Sequence, residues 1–130
     1  MLRILIADDH EGVRTAIRNI LLDEFRHAVI EESEDTTGLI EKAITADWDM
    51  IVSDLAMPGG GGFHALKVIK QAKPDVPVII FSTYPPEQYA SRVVQAGAHA
   101  FVSKDAPVTG LVETIRTLID KKNSATKGES

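Results

Sequence analysis

The sequence contains no cysteine and no excess of basic residues, and both absences narrow the kinds of site it can form. Without cysteine it has no disulfide, no thiolate zinc site and no cysteine nucleophile, which is compatible with a reducing compartment. Lys and Arg number 14 against 19 Asp and Glu, giving a formal charge of −5. Direct nucleic acid binding by this domain is not expected, because such binding relies on clustered cations.

Long apolar runs are also missing, so we expect no membrane-spanning helix. The chain passes from its first residues into a short strand-like run, and we expect no signal peptide before it. With 130 residues, 44% of them hydrophobic, the chain has the length of one domain and can fill a core. We therefore expect a cytoplasmic domain without membrane contact.

Five short apolar runs, separated by stretches with helical periodicity, predict the fold. The runs lie near residues 3–8, 28–32, 49–54, 77–82 and 99–103. Strands that alternate with helices are typical of a parallel sheet with right-handed crossovers. The prediction is an α/β fold: a doubly wound five-stranded parallel sheet with helices on both faces.

The last ten residues lack apolar periodicity. We assign residues 1–121 to the domain and predict that residues 122–130 form a flexible tail or the start of a linker.

Charged residues follow three of the predicted strands. Asp8-Asp9 ends the first run, Asp54 ends the third, and Lys104 follows the fifth. In an open α/β sheet, ligands bind outside the carboxyl ends of the strands, where these groups would meet. A single Asp at such a position is often only a helix cap, and a single Lys is usually a solvated surface residue.

A pair of acids is harder to explain by capping, because one cap uses only one side chain. Two carboxylates about 4 Å apart repel by roughly 4 kcal/mol at an effective dielectric near 20. A divalent cation that prefers oxygen ligands would relieve this repulsion. Three carboxylates, one lysine and one such cation form a neutral site that could accept a phosphoryl group.

Two further features remain ambiguous from the residues alone. Ser82 closes the fourth run and could either cap the next helix or bond a phosphoryl oxygen. The histidines are scattered without metal-ligand spacing and are interpreted as ordinary polar positions; they are His10, His27, His64 and His99.

Taken in order, the motifs resemble the receiver domain of two-component response regulators, most like those that precede a helix-turn-helix DNA-binding domain. The likeness covers about residues 2–121. Its elements are Asp8-Asp9, Asp54, Met57-Pro58, Gly62, Ser82-Thr83, Phe101 and Lys104. The resemblance implies a flavodoxin-like fold of the receiver type.

The resemblance also implies a role for each site residue. Asp54 would accept a phosphoryl group from a sensor histidine kinase, and Lys104 would balance charge on that group. Mg²⁺ would be held by Asp8, Asp9, Asp54 and the backbone carbonyl of Ala56. Ser82 would bond the phosphoryl group and Phe101 would turn inward in response, although Phe101 could equally be a core aromatic.

Partners follow from the same likeness: a sensor histidine kinase, a C-terminal DNA-binding domain that this chain does not contain, and a second copy on activation. Tyr84-Pro85-Pro86 opens the predicted fourth helix. We expect this segment to stiffen the output face, and we expect Tyr84 and Ala56 to tune phosphoryl lifetime. Asp105 stands where many receivers carry proline.

Two other functions compete with this interpretation. A receiver-like interaction module would bind partners without being phosphorylated, but such domains usually lose an acid or the lysine. A Mg²⁺-dependent phosphatase using an aspartyl-phosphate would need residues for a cap domain, and none remain here.

Overall fold

The structure, a computed structural model, describes the backbone of residues 2–128 and the side chains of residues 2–122. Strands and helices alternate along this part of the chain. The strands are β1 (Arg3–Ala7), β2 (Val29–Ser33), β3 (Met50–Ser53), β4 (Val78–Ser82) and β5 (Ala100–Ser103). The helices are α1 (Glu11–Glu24), α2 (Thr36–Thr45), α3 (Gly61–Ala72), α4 (Pro86–Gln95) and α5 (Thr109–Gly128). The predicted strands are confirmed, each bound lying within one residue of the expected segment.

The five strands form one parallel sheet in the order β2-β1-β3-β4-β5. Its central strands are apolar because both faces are covered by helices. Leu5 and Ile51 pack in a core layer with residues of α2, α3 and α4. Ile4 and Val52 point the other way, into a layer with α1 and α5. The predicted doubly wound fold is thus confirmed.

The strand order reverses at β1, which lies between β2 and β3. In open α/β sheets, the crevice for ligands forms at such a switch point, beyond the carboxyl ends of the strands. Ala7 pairs with Ser53 at the ends of β1 and β3, so the acids that follow these two strands start side by side.

Helix α4 begins as its prolines predict. Pro85 is the N-cap and Pro86 the first helical residue, where a missing backbone N–H costs nothing. The two adjacent valines of this helix differ in burial. Val93 is fully buried, whereas Val94 is 52% exposed.

Helix α5 is longer than the sequence indicated. Its backbone remains helical to Gly128, through most of the segment expected to be a tail or linker. No proline or glycine interrupts residues 111–127, so nothing local ends the helix where its apolar periodicity stops. Glu129 and Ser130 lie outside the described residues, and the domain boundary at residue 121 stays a prediction. Neither α5 nor any other helix in residues 2–128 is long and apolar enough to cross a bilayer.

Candidate phosphoacceptor site

The candidate site lies at the carboxyl edge of the sheet. Backbone hydrogen bonds continue the strand ladders past the strand ends and fix the residues that follow. Asp8 N–H donates to Ser33 O at 3.1 Å, and Asp54 N–H donates to Ala7 O at 2.9 Å. Lys104 N–H donates to Ser82 O, also at 2.9 Å. The sheet therefore brings Asp8, Asp54 and Lys104 to one edge, as expected.

Lys104 bridges the two buried acids. Its Nζ lies 2.5 Å from Asp8 Oδ2 and 3.2 Å from Asp54 Oδ2. Asp8 is 2% exposed and Asp54 5% exposed, so these contacts are shielded from water. The peptide bond between Lys104 and Asp105 is trans, as are all those within the described residues. A single ammonium thus faces two desolvated carboxylates, with a third, Asp9, beside them.

The carboxylate of Asp54 is held at both oxygens. Oδ1 accepts a hydrogen bond from Leu55 N–H at 2.7 Å, and Oδ2 faces Lys104. Burial raises the pKa of Asp54 above its ordinary value, and the negative charge of Asp8 adds to this, although Lys104 opposes both. The site therefore carries more negative charge than its lysine neutralises, and a further cation would stabilise it.

His10 is the functional candidate that sequence reasoning missed. Its Nδ1 lies 3.1 Å from Asp8 Oδ1 and 3.0 Å from Asp9 Oδ1. One ligand atom from each of Asp8, Asp9, His10 and Asp54 lies within 4.8 Å of the others. The sequence interpretation treated His10 as an ordinary polar position, and its place directly after the acid pair was the available signal for these contacts.

A second group missed from the sequence is the guanidinium of Arg14. It donates from Nη1 to the backbone oxygen of Asp8 at 2.7 Å, and from Nε to Glu32 Oε1 at 3.0 Å. Helix α1 is thereby tied to both the acidic loop and strand β2. Nothing in the helical periodicity of α1 distinguishes this residue from an ordinary surface arginine.

The loop after Asp54 depends on its glycines. A Cβ on Gly62 would lie 1.9 Å from the carbonyl oxygen of Asp54, so the helix start can approach the strand end only without a side chain. Gly61 adopts a positive φ of 82° and donates its N–H to Thr36 Oγ1 at 2.9 Å. Thr36 N–H in turn donates to Pro58 O. Buried Thr36, at the start of α2, therefore anchors this loop.

Ser82 and Phe101 lie on the neighbouring strands β4 and β5. Ser82 is fully buried, and its Oγ accepts a hydrogen bond from Tyr84 N–H at 3.1 Å. Phe101 is half-buried and packs against the core layer that includes Ile80 and Val93. Ala56, two residues beyond Asp54, is exposed. The signalling roles inferred for these residues remain predictions.

Comparison with known proteins agrees with this geometry. The family model described as "Response regulator receiver domain" matches residues 4–116. The response regulator UvrY of Escherichia coli (strain K12) is 33% identical over 118 residues, which are 91% of this chain and 54% of UvrY. The chain thus spans about half the length of the curated relatives it matches.

Solved structures give the same likeness. TrrA of Thermotoga maritima, solved in complex with Mg²⁺ and BeF, has a TM-score of 0.81 at 26% identity, covering 91% of this chain and 99% of that one. RcsB of Salmonella enterica serovar Typhimurium, solved bound to promoter rprA in the presence of phosphomimetic BeF₃⁻, has a TM-score of 0.78 at 29% identity. That match covers 88% of this chain and 66% of RcsB.

Proposed function

This chain belongs to the response regulator receiver domain family, and from that membership we propose that Asp54 accepts a phosphoryl group from a sensor histidine kinase, with Mg²⁺ as cofactor. The domain is a regulatory part of a two-component system. The observation that carries the proposal is the setting of Asp54. It is buried at the end of central strand β3, bonded to Leu55 N–H and Lys104, and next to Asp8.

In the proposed transfer, a carboxylate oxygen of Asp54 attacks the phosphorus of a phosphohistidine while the P–N bond breaks. The electron pair of that bond returns to the imidazole nitrogen of the kinase, which takes up a proton, and Asp54 becomes an acyl phosphate. The attacking group must be ionised. Lys104, 3.2 Å from Asp54 Oδ2, supports the ionised form against the effect of burial.

The acidic cluster fits a divalent cation. Its donors are predominantly carboxylate oxygens, and three carboxylates against one lysine leave two negative charges to be balanced. Asp8, Asp9, Asp54 and the backbone carbonyl of Ala56 would hold Mg²⁺. The cation would supply charge neutralisation for the phosphoryl oxygens. The protein itself would orient Asp54 and place the Lys104 ammonium beside the incoming group.

Ser82 would couple phosphorylation of Asp54 to the output face formed by α4, β5 and α5. A hydroxyl can donate one hydrogen bond while it accepts others, so Ser82 could bond a phosphoryl oxygen and still hold Tyr84 N–H. Phe101 would then turn inward from its half-buried position. Couplings of this kind are typically about 1–3 kcal/mol, enough to shift an existing equilibrium.

For the whole protein we propose a transcriptional response regulator, in which a C-terminal DNA-binding domain follows this receiver. The support is the likeness to RcsB, which was solved on a promoter, and the half-length match to UvrY. Homodimer formation on activation and a cytoplasmic location belong to the same proposal. A non-phosphorylated interaction module is not favoured, because all the acids and the lysine are present and Lys104 contacts both buried acids.

The proposal is tested by intact mass after incubation with acetyl phosphate, with and without Mg²⁺. The native chain should gain the mass of one phosphoryl group only with Mg²⁺, and Asp54→Asn should gain none. Asp49→Asn, at the other end of the same strand, is the matched control and should label like the native chain. Equal labelling of Asp54→Asn and the native chain would refute the assignment, and no labelling at all would favour the interaction module.

A further inference from the structure

The imidazole of His10 lies directly over the acidic pair. His10 N–H donates to Asp8 Oδ1 at 2.9 Å, which closes a short turn and folds the ring back toward the carboxylates. The residue is also the N-cap of α1, but its side chain makes no capping hydrogen bond. The ring is therefore directed to the carboxylates and not to the helix.

The spacing of the ring nitrogen from the acids matches that of neighbouring ligands on one metal ion. Ligands about 2.1 Å from an octahedral ion lie about 3.0 Å from each other along an edge of the octahedron. Nδ1 is 3.0 Å from Asp9 Oδ1 and 3.1 Å from Asp8 Oδ1. When Nδ1 carries a proton, the Asp8 contact is a hydrogen bond. When Nδ1 is unprotonated, both spacings equal the edge of such an octahedron.

Lys104 pairs with Oδ2 of each buried acid, so the Oδ1 atoms of Asp8 and Asp9 are available to a cation. Lys104 contacts the other oxygen of Asp8, Oδ2, together with Asp54 Oδ2. The Oδ1 atoms of Asp8 and Asp9 instead face His10. The His10 side chain is 67% exposed, so an ion can reach it from solvent. The lysine and the imidazole therefore approach Asp8 through different oxygens.

We propose that His10 Nδ1 is a ligand of the metal ion at this site and gives it a preference for ions with affinity for imidazole, such as Mn²⁺, over Mg²⁺. Mg²⁺ is a hard ion that favours oxygen ligands, whereas the first-row transition ions, of which Mn²⁺ is the weakest binder, also accept an imidazole nitrogen. The proposal rests on the proposed function in one respect, namely that Asp8 and Asp9 bind a divalent cation. It adds a nitrogen donor to that site.

The test is Mn²⁺ and Mg²⁺ binding to the whole chain by calorimetry, with electron spin echo spectroscopy of the Mn²⁺ form to detect a coordinated ¹⁴N. His10→Asn places an amide oxygen near the same point and keeps a residue favoured at an N-cap. We expect it to weaken Mn²⁺ binding about tenfold and to leave Mg²⁺ binding within about twofold. His27→Asn, an exposed histidine in the turn after α1, is the matched control and should change neither.

The native chain should show ¹⁴N modulation from bound Mn²⁺, and His10→Asn should lose it. The signal of the native chain does not depend on the stability of any variant. Mn²⁺ bound to the native chain without ¹⁴N coupling, and with unchanged affinity in His10→Asn, would overturn the role of His10 while leaving the proposed function in place. A native chain that binds neither ion would overturn both, and the phosphoryl labelling would then fail as well.

Discussion

Asp49 and Asp54 flank the same strand, β3, yet the two ends of that strand give their carboxylates opposite environments. Asp49 accepts a hydrogen bond from Arg3 N–H at 2.9 Å and pairs with Lys122 at 3.0 Å. Burial raises the pKa of Asp49, but these two partners more than offset it, so the pKa falls below its ordinary value. For Asp54, burial and the charge of Asp8 outweigh Lys104, and the pKa rises.

The difference teaches that acidic charge is paired at one edge of the sheet and left in excess at the other, where the proposed site lies. At the amino edge Asp49 has its own partners, and Asp47 pairs with Lys73 at 3.2 Å. At the carboxyl edge, Asp8 and Asp54 share Lys104, and excess negative charge remains. Such an excess lowers stability, and it is consistent with the cation and phosphoryl group that we propose for this site.

The largest difference in stability should be found between two lysine substitutions, one at each edge of the sheet. Lys104→Met leaves two buried carboxylates without their shared cation, and we expect a loss of about 3 kcal/mol in the free energy of unfolding without metal. Lys122→Met removes a side chain that is 56% exposed and should cost less than about 1 kcal/mol. Urea denaturation of both variants measures this contrast. Equal losses would mean that the two edges do not differ as described.

Added Mg²⁺ should sharpen the same contrast. Mg²⁺ should recover part of the free energy of unfolding lost in Lys104→Met, because a bound cation replaces the missing positive charge. The difference in this free energy between Lys122→Met and the native chain should be the same with and without Mg²⁺.

A somewhat smaller effect is expected from the glycine that lets α3 approach β3. Gly62→Ala forces a methyl group against the carbonyl of Asp54, and the backbone must shift, at a cost of about 2 kcal/mol. Gly110→Ala, in α5, meets no atom within 4 Å and should be neutral or stabilising by up to about 1 kcal/mol. Thermal unfolding of the two variants would show whether the carboxyl edge is as tightly packed as this. A harmless Gly62→Ala would contradict it.

The smallest effect should change sign between the two acids of β3. At neutral pH, Asp54→Asn should stabilise the fold, because the raised pKa means that ionised Asp54 costs stability. This gain should grow as pH rises from the ordinary value of 3.8 through the folded-state pKa. Asp49→Asn should instead destabilise, because the contribution of Asp49 is present above 3.8 and is lost as pH falls through its lower folded-state pKa.

Urea denaturation of both variants between pH 3 and pH 7 measures the two slopes. If Asp49→Asn and Asp54→Asn changed the free energy of unfolding with the same sign, the two carboxylates would not have opposite environments.

Much of the fold was predictable because its signals are local. The five apolar runs gave the strands, and alternation with helices gave the parallel sheet. The meeting of Asp8, Asp54 and Lys104 followed from strand direction alone, and the structure confirms it.

The remaining features depend on tertiary geometry that periodicity does not record. His10 contacts two carboxylates because its backbone N–H donates to Asp8 Oδ1 and closes a turn. Thr36 anchors a loop 25 residues away. Helix α5 continues past its last apolar position because no breaker stops it, and hydrophobic patterning carries no signal for that.

The most direct test of the central claim is to locate the phosphoryl group chemically. After labelling with acetyl phosphate and Mg²⁺, borohydride reduction converts an aspartyl phosphate to homoserine, and peptide mass spectrometry identifies its position. The account predicts homoserine at position 54 and intact aspartate at positions 8, 9 and 49. Homoserine at any of those three positions, with Asp54 unchanged, would contradict it.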